Sequence, residues 1–307
     1  MSRVFIGLPT YNGAAHLREA LDSICQQTYQ DWQLLISDNG SQDETAEICK
    51  DYTSRDARIH YHRQPDNVGA WNNFKFVLDQ ADSPYFAWFP DDYVMEAGFL
   101  EVCASMLDAD PDIGLAMSNI AYRDSTGRNV LLNSEASKIV QNGDRGRPLV
   151  YSYLLAKEMA VFIYGLYRRE LLQEAVAPYY HKPLTNAFDC YVVLRVLSRS
   201  GLAVDAGFRQ IIPYEDTWYQ RTFTYDYLGF GTGFGLRFLW ESVRALPWKW
   251  KAGGLLILAV RWQIGVAYKV LYMQMIHGPR GLVRKLRSIF RAFGRRYVTR
   301  TDQRLRR

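Results

Sequence analysis

Residues 85–92 read Tyr85-Phe86-Ala87-Trp88-Phe89-Pro90-Asp91-Asp92. Five apolar or aromatic residues without polar alternation fit a strand covered on both faces, as in parallel sheets. The run ends in Pro90 and then in two adjacent acids. Neighbouring carboxylates repel unless a cation joins them. Their hard oxygens suit Mg²⁺ or Mn²⁺, ions that keep several waters and also bind substrate phosphates. Aspartate equally favours solvated turns and helix caps, so the pair alone leaves both readings open.

Working outward, the same design recurs. Val4–Leu8, Trp32–Ser37, Ile59–Arg63 and Gly114–Ile120 read as further strands. Between them, Leu17, Ala20, Leu21 and Ile24 share one helical face, Ser41 and Glu44 have the spacing of a capping box, and Asn72–Ala81 and Gly98–Asp108 read as helices. Strands alternating with helices predict an α/β fold with a mainly parallel sheet. Ligands of such sheets bind beyond the carboxyl ends of the strands. That rule selects Pro9–Asn12, Asp38–Ser41, Gln64–Gly69 and Pro90–Tyr93, and every one of these segments is polar. Further on, Asp124–Gly127 predicts a turn, Ile163–Tyr167 a strand, Glu170 the start of a helix, and Cys190–Arg199 an apolar helix entered directly after Asp189.

Composition narrows the function classes. The chain has 307 residues, 48% of them hydrophobic, enough for a substantial core. Its four cysteines are widely spaced without a CxxC pair, which argues against a disulfide framework or zinc site and makes a reducing compartment the default. No long apolar stretch opens the sequence, so no secretory signal is expected. The net charge of +5 hides an asymmetry: from Trp248 onward fifteen Lys/Arg face one acid, Asp302. Ala252–Tyr272 is apolar but carries Arg261, Gln263 and Lys269, which disfavours a membrane span. Beyond Gly278-Pro279, Leu282, Leu286, Ile289, Phe290 and Phe293 share one helical face opposite Arg284, Arg287, Arg291 and Arg295. Such a helix either packs on the body of the chain or lies on an anionic membrane surface. Nucleic acid is not expected as a partner, because no stacking aromatics interleave the arginines.

Taken together, Pro9-Thr10-Tyr11-Asn12, then Ser37-Asp38-Asn39-Gly40-Ser41-x-Asp43, then Asn67-x-Gly69 with Asn73, then Pro90-Asp91-Asp92 form an ordered set at strand ends. From about Val4 to Gly201 the chain resembles the family-2 glycosyltransferases of the GT-A fold. The resemblance implies a nucleotide-diphosphate sugar donor and a Mn²⁺ or Mg²⁺ ion held by Asp91 and Asp92, at the family's DXD-type position. It implies that Pro9, Thr10, Tyr11 and Asn12 line the nucleotide pocket and that Asp38 binds the N3–H of a uracil-type base. Asn67, Gly69 and Asn73 would approach the nucleotide or its sugar. Pro90 stands where a strict DXD has its first acid. A catalytic carboxylate is expected just before an apolar helix about a hundred residues on, and Asp189 occupies that place as general base. Phe188 stands where the family usually has Glu. Glu158 and Glu215-Asp216 are the alternatives, and the role of Arg168 and Arg169 is not readable.

The implied organisation is a GT-A catalytic domain over 1–217, with a nucleotide half to about 120 and an acceptor half over 121–217, and a basic helical extension over 218–307. The implied activity is inverting transfer to a hydroxyl of a lipid-linked or other glycan acceptor, by a cytoplasmic protein attached peripherally to the membrane. Tyr219-Gln220-Arg221-Thr222 lacks the Gln-x-x-Arg-Trp motif of processive synthases, which favours single sugar addition. Two alternatives remain: transfer onto polyprenyl phosphate, and a non-catalytic sugar-nucleotide or glycan-binding protein of the same fold.

Overall fold

The computed structural model describes residues 2–124, 126–141, 143–156, 159–180, 188–213, 244 and 246–254. Glu158, Glu215, Asp216, the 217/218 boundary and the basic helix over 282–293 lie outside the described residues.

The described strands form one nine-stranded sheet. Strand β1 (Val4–Thr10) is buried at every position. It pairs in parallel with β2 (Trp32–Asp38) and with β4 (Tyr85–Trp88), and β2 pairs in parallel with β3 (Ile59–Arg63). Alternate residues of β1 feed two cores. Val4, Ile6 and Leu8 pack with α1 (Leu17–Cys25), α2 (Thr45–Arg55) and α4 (Phe99–Ala109). Phe5 on the other face packs with α3 (Ala70–Asp79), α6 (Gly146–Leu155), α7 (Arg169–Val176) and α8 (Phe188–Leu197). Burial on both faces is why these strands carry no polar alternation.

The far half of the sheet mixes directions. Strand β8 (Leu166–Arg168) is antiparallel to both β4 and β6 (Ile113–Arg123), while β9 (Gly201–Pro213) runs parallel to β6. The two-residue β5 (Val94–Met95) pairs with β9, and β7 (Asn129–Asn133) forms a hairpin with β6 across the expected turn. There the Asp124 carboxylate accepts from the backbone N–H groups of Thr126 and Arg128, both at 3.0 Å. A short helix, α5 (Glu135–Gln141), follows β7.

Three expectations are corrected. Ser41 and Glu44 do not form a capping box: α2 starts at Thr45 with no side-chain cap, because the Ser41 hydroxyl is taken by the backbone N–H of Asn12. Ile163–Tyr167 is not one strand: Ala160–Tyr164 is a 3₁₀ turn, and pairing starts at Leu166. The helix expected from Glu170 begins one residue earlier, at Arg169.

Arg168 and Arg169 acquire a role from the packing. The Arg168 guanidinium donates to the carbonyls of Ile113 at 2.8 Å, Leu107 at 2.5 Å and Asp110 at 3.1 Å, satisfying backbone groups at the C-terminal end of α4 and the start of β6. Arg169 donates to Ser83 O at 2.7 Å. Both arginines fasten β8 to the sheet. Among the described residues no helix is long and apolar enough to cross a membrane.

Arg168→Met leaves three carbonyls without that donor and is expected to cost about 2–3 kcal/mol in denaturant unfolding. Arg168→Lys should restore only part of the loss, because an ammonium cannot span the guanidinium's donor positions.

Candidate active site

The register decides what meets at the sheet's carboxyl edge. Thr10 lies opposite Asp38, and Asp38 lies opposite Arg63, so three strands end side by side. The loops that follow are stitched together. The N–H groups of Asn12, Gly13 and Ala14 donate to Ser41 Oγ at 2.9 Å, Thr45 Oγ1 at 3.0 Å and Asp43 Oδ2 at 3.1 Å. Asn12 adopts a left-handed φ of 54°, and its Oδ1 accepts from the N–H of Gln42 at 2.8 Å. Burial alone would raise the Asp43 carboxyl, but the Thr45 hydroxyl and the N–H groups of Ala14 and Thr45 hold it below its usual range. Gly40 turns the second loop with φ of 78°, as a residue without Cβ allows.

Asp38 is fully buried. Its Oδ1 accepts from the N–H of Ser41 at 2.8 Å, its Oδ2 accepts from the Tyr61 hydroxyl at 2.8 Å, and Arg63 stands 3.7 Å from Oδ2. Burial first, and Asp38 second, push the Tyr61 phenol well up. Around this centre, Pro9 is buried in β1 while Tyr11 and Asn12 are exposed at its end. Asn67 Oδ1 accepts from Gly69 N–H at 2.9 Å and Asn39 Nδ2 at 3.0 Å, which folds the third loop against the second.

Asn73 departs from expectation. It does not line the pocket; it is buried behind the loops, its Nδ2 donating to Ser37 O at 2.9 Å and its Oδ1 accepting from the Ser37 hydroxyl at 2.6 Å. It braces the ends of β1 and β2 against α3.

Asp91 turns back from the end of β4 under the first loop, where its Oδ2 accepts from the Thr10 hydroxyl. A Cβ on Gly13 would stand 2.3 Å from that oxygen, so only glycine lets the loop close over the carboxylate. No lysine or arginine among the described residues pairs with Asp91. Burial raises its carboxyl above the ordinary value, and the Thr10 hydroxyl offsets this only in part.

The charges of Asp92, Asp189 and Asp91 all act on the buried phenol of Tyr164. Burial raises that phenol, and the three carboxylates, in that order, raise it further. Tyr164 is fixed by the edge of Tyr93 at 4.9 Å between ring centroids and by Gln210 Nε2, which donates to its carbonyl at 2.7 Å. The sequence reading missed Gln210, since a lone Gln in an apolar strand carries no local signal. Asp189 enters α8, its Oδ1 accepting from the N–H of Cys190 at 2.8 Å. Phe188, at the position of the usual Glu, packs on Trp71 and Phe74 with ring centroids 5.1 Å away in each case. Trp88 completes the chain of rings and donates from Nε1 to Phe74 O at 2.9 Å.

No three His, Cys, Asp or Glu side chains form a closed metal cage among the described residues. The donor set nevertheless fits a hard divalent ion. Asp91 is a desolvated carboxylate that His16 and the Thr10 hydroxyl offset only in part, Asp92 adjoins it, and such ions take one or two carboxylates and fill the rest with waters and phosphates.

Strand-end loops on a mainly parallel sheet flanked by helices, with paired acids at the edge, are the architecture of the GT-A fold class. The model of Glycosyl transferase family 2 matches residues 5–175, and the chain belongs to that family. It is 29% identical over 176 residues to the uncharacterized glycosyltransferase EpsJ of Bacillus subtilis, covering 56% of this chain and 49% of that protein. To glycosyltransferase GlyA of Streptococcus pneumoniae it is 27% identical over 144 residues, 46% of this chain and 20% of that one. The chain thus spans half or less of these relatives' length. Among solved structures, S. aureus TarS 1-349 matches with TM-score 0.57 and 16% identity over 90% of this chain and 92% of that one. A Pyrobaculum calidifontis mannosyltransferase, PcManGT, solved with GDP-Man and Mn²⁺, matches with TM-score 0.51 and 15% identity over 87% and 75%. These two likenesses show the fold.

Because the folded Asp91 carboxyl titrates above the ordinary value of 3.8, the folded chain holds that proton more tightly than the unfolded chain. Below 3.8 both states are protonated and the residue is neutral for stability. As pH rises through the raised folded value the unfolded state ionises first, and stability falls. In chelator-treated buffer Asp91→Asn should therefore melt above the parent at neutral pH, and the difference should vanish as pH falls below 3.8.

Proposed function

We propose that the chain transfers a sugar from a UDP- or dTDP-sugar to a hydroxyl of a lipid-linked glycan or related polysaccharide precursor, with inversion at the anomeric carbon. The observation that carries this reading is the Asp91 carboxylate, tied to the Thr10 hydroxyl under the loop that ends β1, with Asp92 next to it in the chain. Supporting it, TarS has been solved with UDP-GlcNAc and PcManGT with GDP-Man and Mn²⁺. A bound Mn²⁺ or Mg²⁺ would neutralise charge on the departing diphosphate.

The chain's own residues supply the rest. Asp91 and Asp92 would hold the ion, with Thr10 orienting Asp91. Tyr11 and Asn12, exposed at the end of β1, would line the nucleotide pocket over buried Pro9, with Asn67 and Gly69 opposite. Asp38 would read the N3–H of a pyrimidine, an edge that UDP and dTDP share. Asp189 would take the proton of the acceptor hydroxyl as its oxygen attacks the anomeric carbon opposite the leaving group. One displacement with one base requires no covalent intermediate on the protein. The lipid-linked acceptor and peripheral attachment to an anionic membrane rest on the basic stretch from Trp248 onward, fifteen Lys/Arg against one acid.

A thermal-shift panel of UDP, dTDP, GDP and CDP, each with and without Mn²⁺, tests donor recognition. Stabilisation by uridine or thymidine diphosphate, enhanced by Mn²⁺, is expected, and none by either would sink the assignment. With a competent donor and acceptor, Asp189→Asn should lower kcat by about 10²–10⁴-fold. The nucleotide-induced shift should persist in that variant, whereas Asp91→Ala and Asp92→Ala should lose the Mn²⁺-dependent part.

A further inference from the structure

Among the described residues away from the strand-end loops, two large apolar side chains stand in solvent: Leu155 at 60% and Trp248 at 83% exposure. They belong to elements packed on each other. Residues 246–254 cross α6, where the Tyr151 hydroxyl donates to Trp250 O at 3.1 Å. A Cβ on Gly254 would lie 2.2 Å from the Leu246 side chain and 3.9 Å from that of Leu154. Leu246 is buried and Trp250 partly so, whereas Trp248, in the 3₁₀ turn Trp248–Trp250, points outward. The turn is anchored on both sides and presents its most apolar ring to water.

The surroundings of that ring are cationic. Arg244, Lys249 and Lys251 are exposed, and residues 244–254 contain no acid. Indole beside lysine is the pairing that suits a bilayer's headgroup layer: the ring enters the boundary while lysine stems lie along it with their charges in water. The chain leading away strengthens the match, since Ala252–Val260 is an apolar run and residues 255–307 hold thirteen Lys/Arg against one acid.

We propose that Leu155, Trp248, Lys249 and Lys251 form an interfacial docking patch for an anionic lipid bilayer. The patch deepens the lipid-linked acceptor named above and rests on that reading for its purpose, though not for its test. It also has a defined relation to the candidate base. Two residues before Leu155, the Tyr153 hydroxyl donates to the carbonyl of Cys190 at 3.3 Å, and Cys190 directly follows Asp189. Docking through α6 would therefore leave the first turn of α8 on the far side of that helix, about 10 Å from the lipid surface.

Co-sedimentation of the full chain with vesicles tests the patch without any turnover. The parent should pellet with phosphatidylcholine vesicles containing phosphatidylglycerol and stay in solution with phosphatidylcholine alone. The double variant Lys249→Ala/Lys251→Ala should bind the anionic vesicles more weakly by about fivefold per lysine, roughly 25-fold for the pair. Trp248→Ala and, from the other element, Leu155→Gln should each weaken binding at least severalfold with melting temperatures unchanged. Absence of parent binding to anionic vesicles would overturn the proposal. So would parent-like binding by all three variants, which would assign attachment to residues 255–307 alone. Failure of the glycosyltransferase assignment shows separately, as loss of the nucleotide-induced thermal shift with vesicle binding intact.

Discussion

Asp91 is a carboxylate in a half-buried position with the Thr10 hydroxyl as partner, and no lysine or arginine among the described residues pairs with it. Everything at the carboxyl edge of the sheet accommodates that arrangement. Gly13 lacks a side chain so that the first loop can lie on the carboxylate. The second loop and the start of α2 hold the first loop by four hydrogen bonds, and Asn73 fixes both strand ends from behind. A carboxylate desolvated in this way carries an unfavourable charge that a hard divalent ion, as proposed above, would offset.

The parallel half of the sheet was legible because β1, β2 and β4 are apolar on both faces, a pattern that few alternatives share. The site residues at their ends were legible for the same reason: once the strands are placed, their carboxyl ends select the loops. What escaped was whatever depends on partners distant in sequence. Ser41 has the spacing of a helix cap, but its hydroxyl answers to Asn12, 29 residues away. Asn73 looks like a pocket residue until α3 is packed, whereupon Ser37 takes its amide. Strands β5 and β8, with two and three residues, are too short to carry a period and exist only through pairing with β9, β4 and β6.

Phe188 illustrates a substitution that exchanges one kind of order for another. A carboxylate there would have added charge beside Asp189. The phenyl ring instead wedges between Trp71 and Phe74, which in turn meet Trp88 just ahead of the acidic loop. Helix α8 is thus referenced mechanically to α3 and β4, so the expected base and the expected metal ligands share one rigid aromatic frame.

The hydroxyl of Tyr61 on Asp38 sets the terms on which anything can bind there. A ligand N–H arriving at that carboxylate would meet oxygens that accept from Tyr61 and Ser41 and still have lone pairs to offer. A ligand presenting a lone pair at the same point would face a buried anion, with Arg63 at 3.7 Å offsetting only part of the repulsion. Such a contact would select both by rewarding a donor edge and by rejecting an acceptor edge. Gatekeeping of this kind would sort ligands by the pattern of hydrogens along one edge.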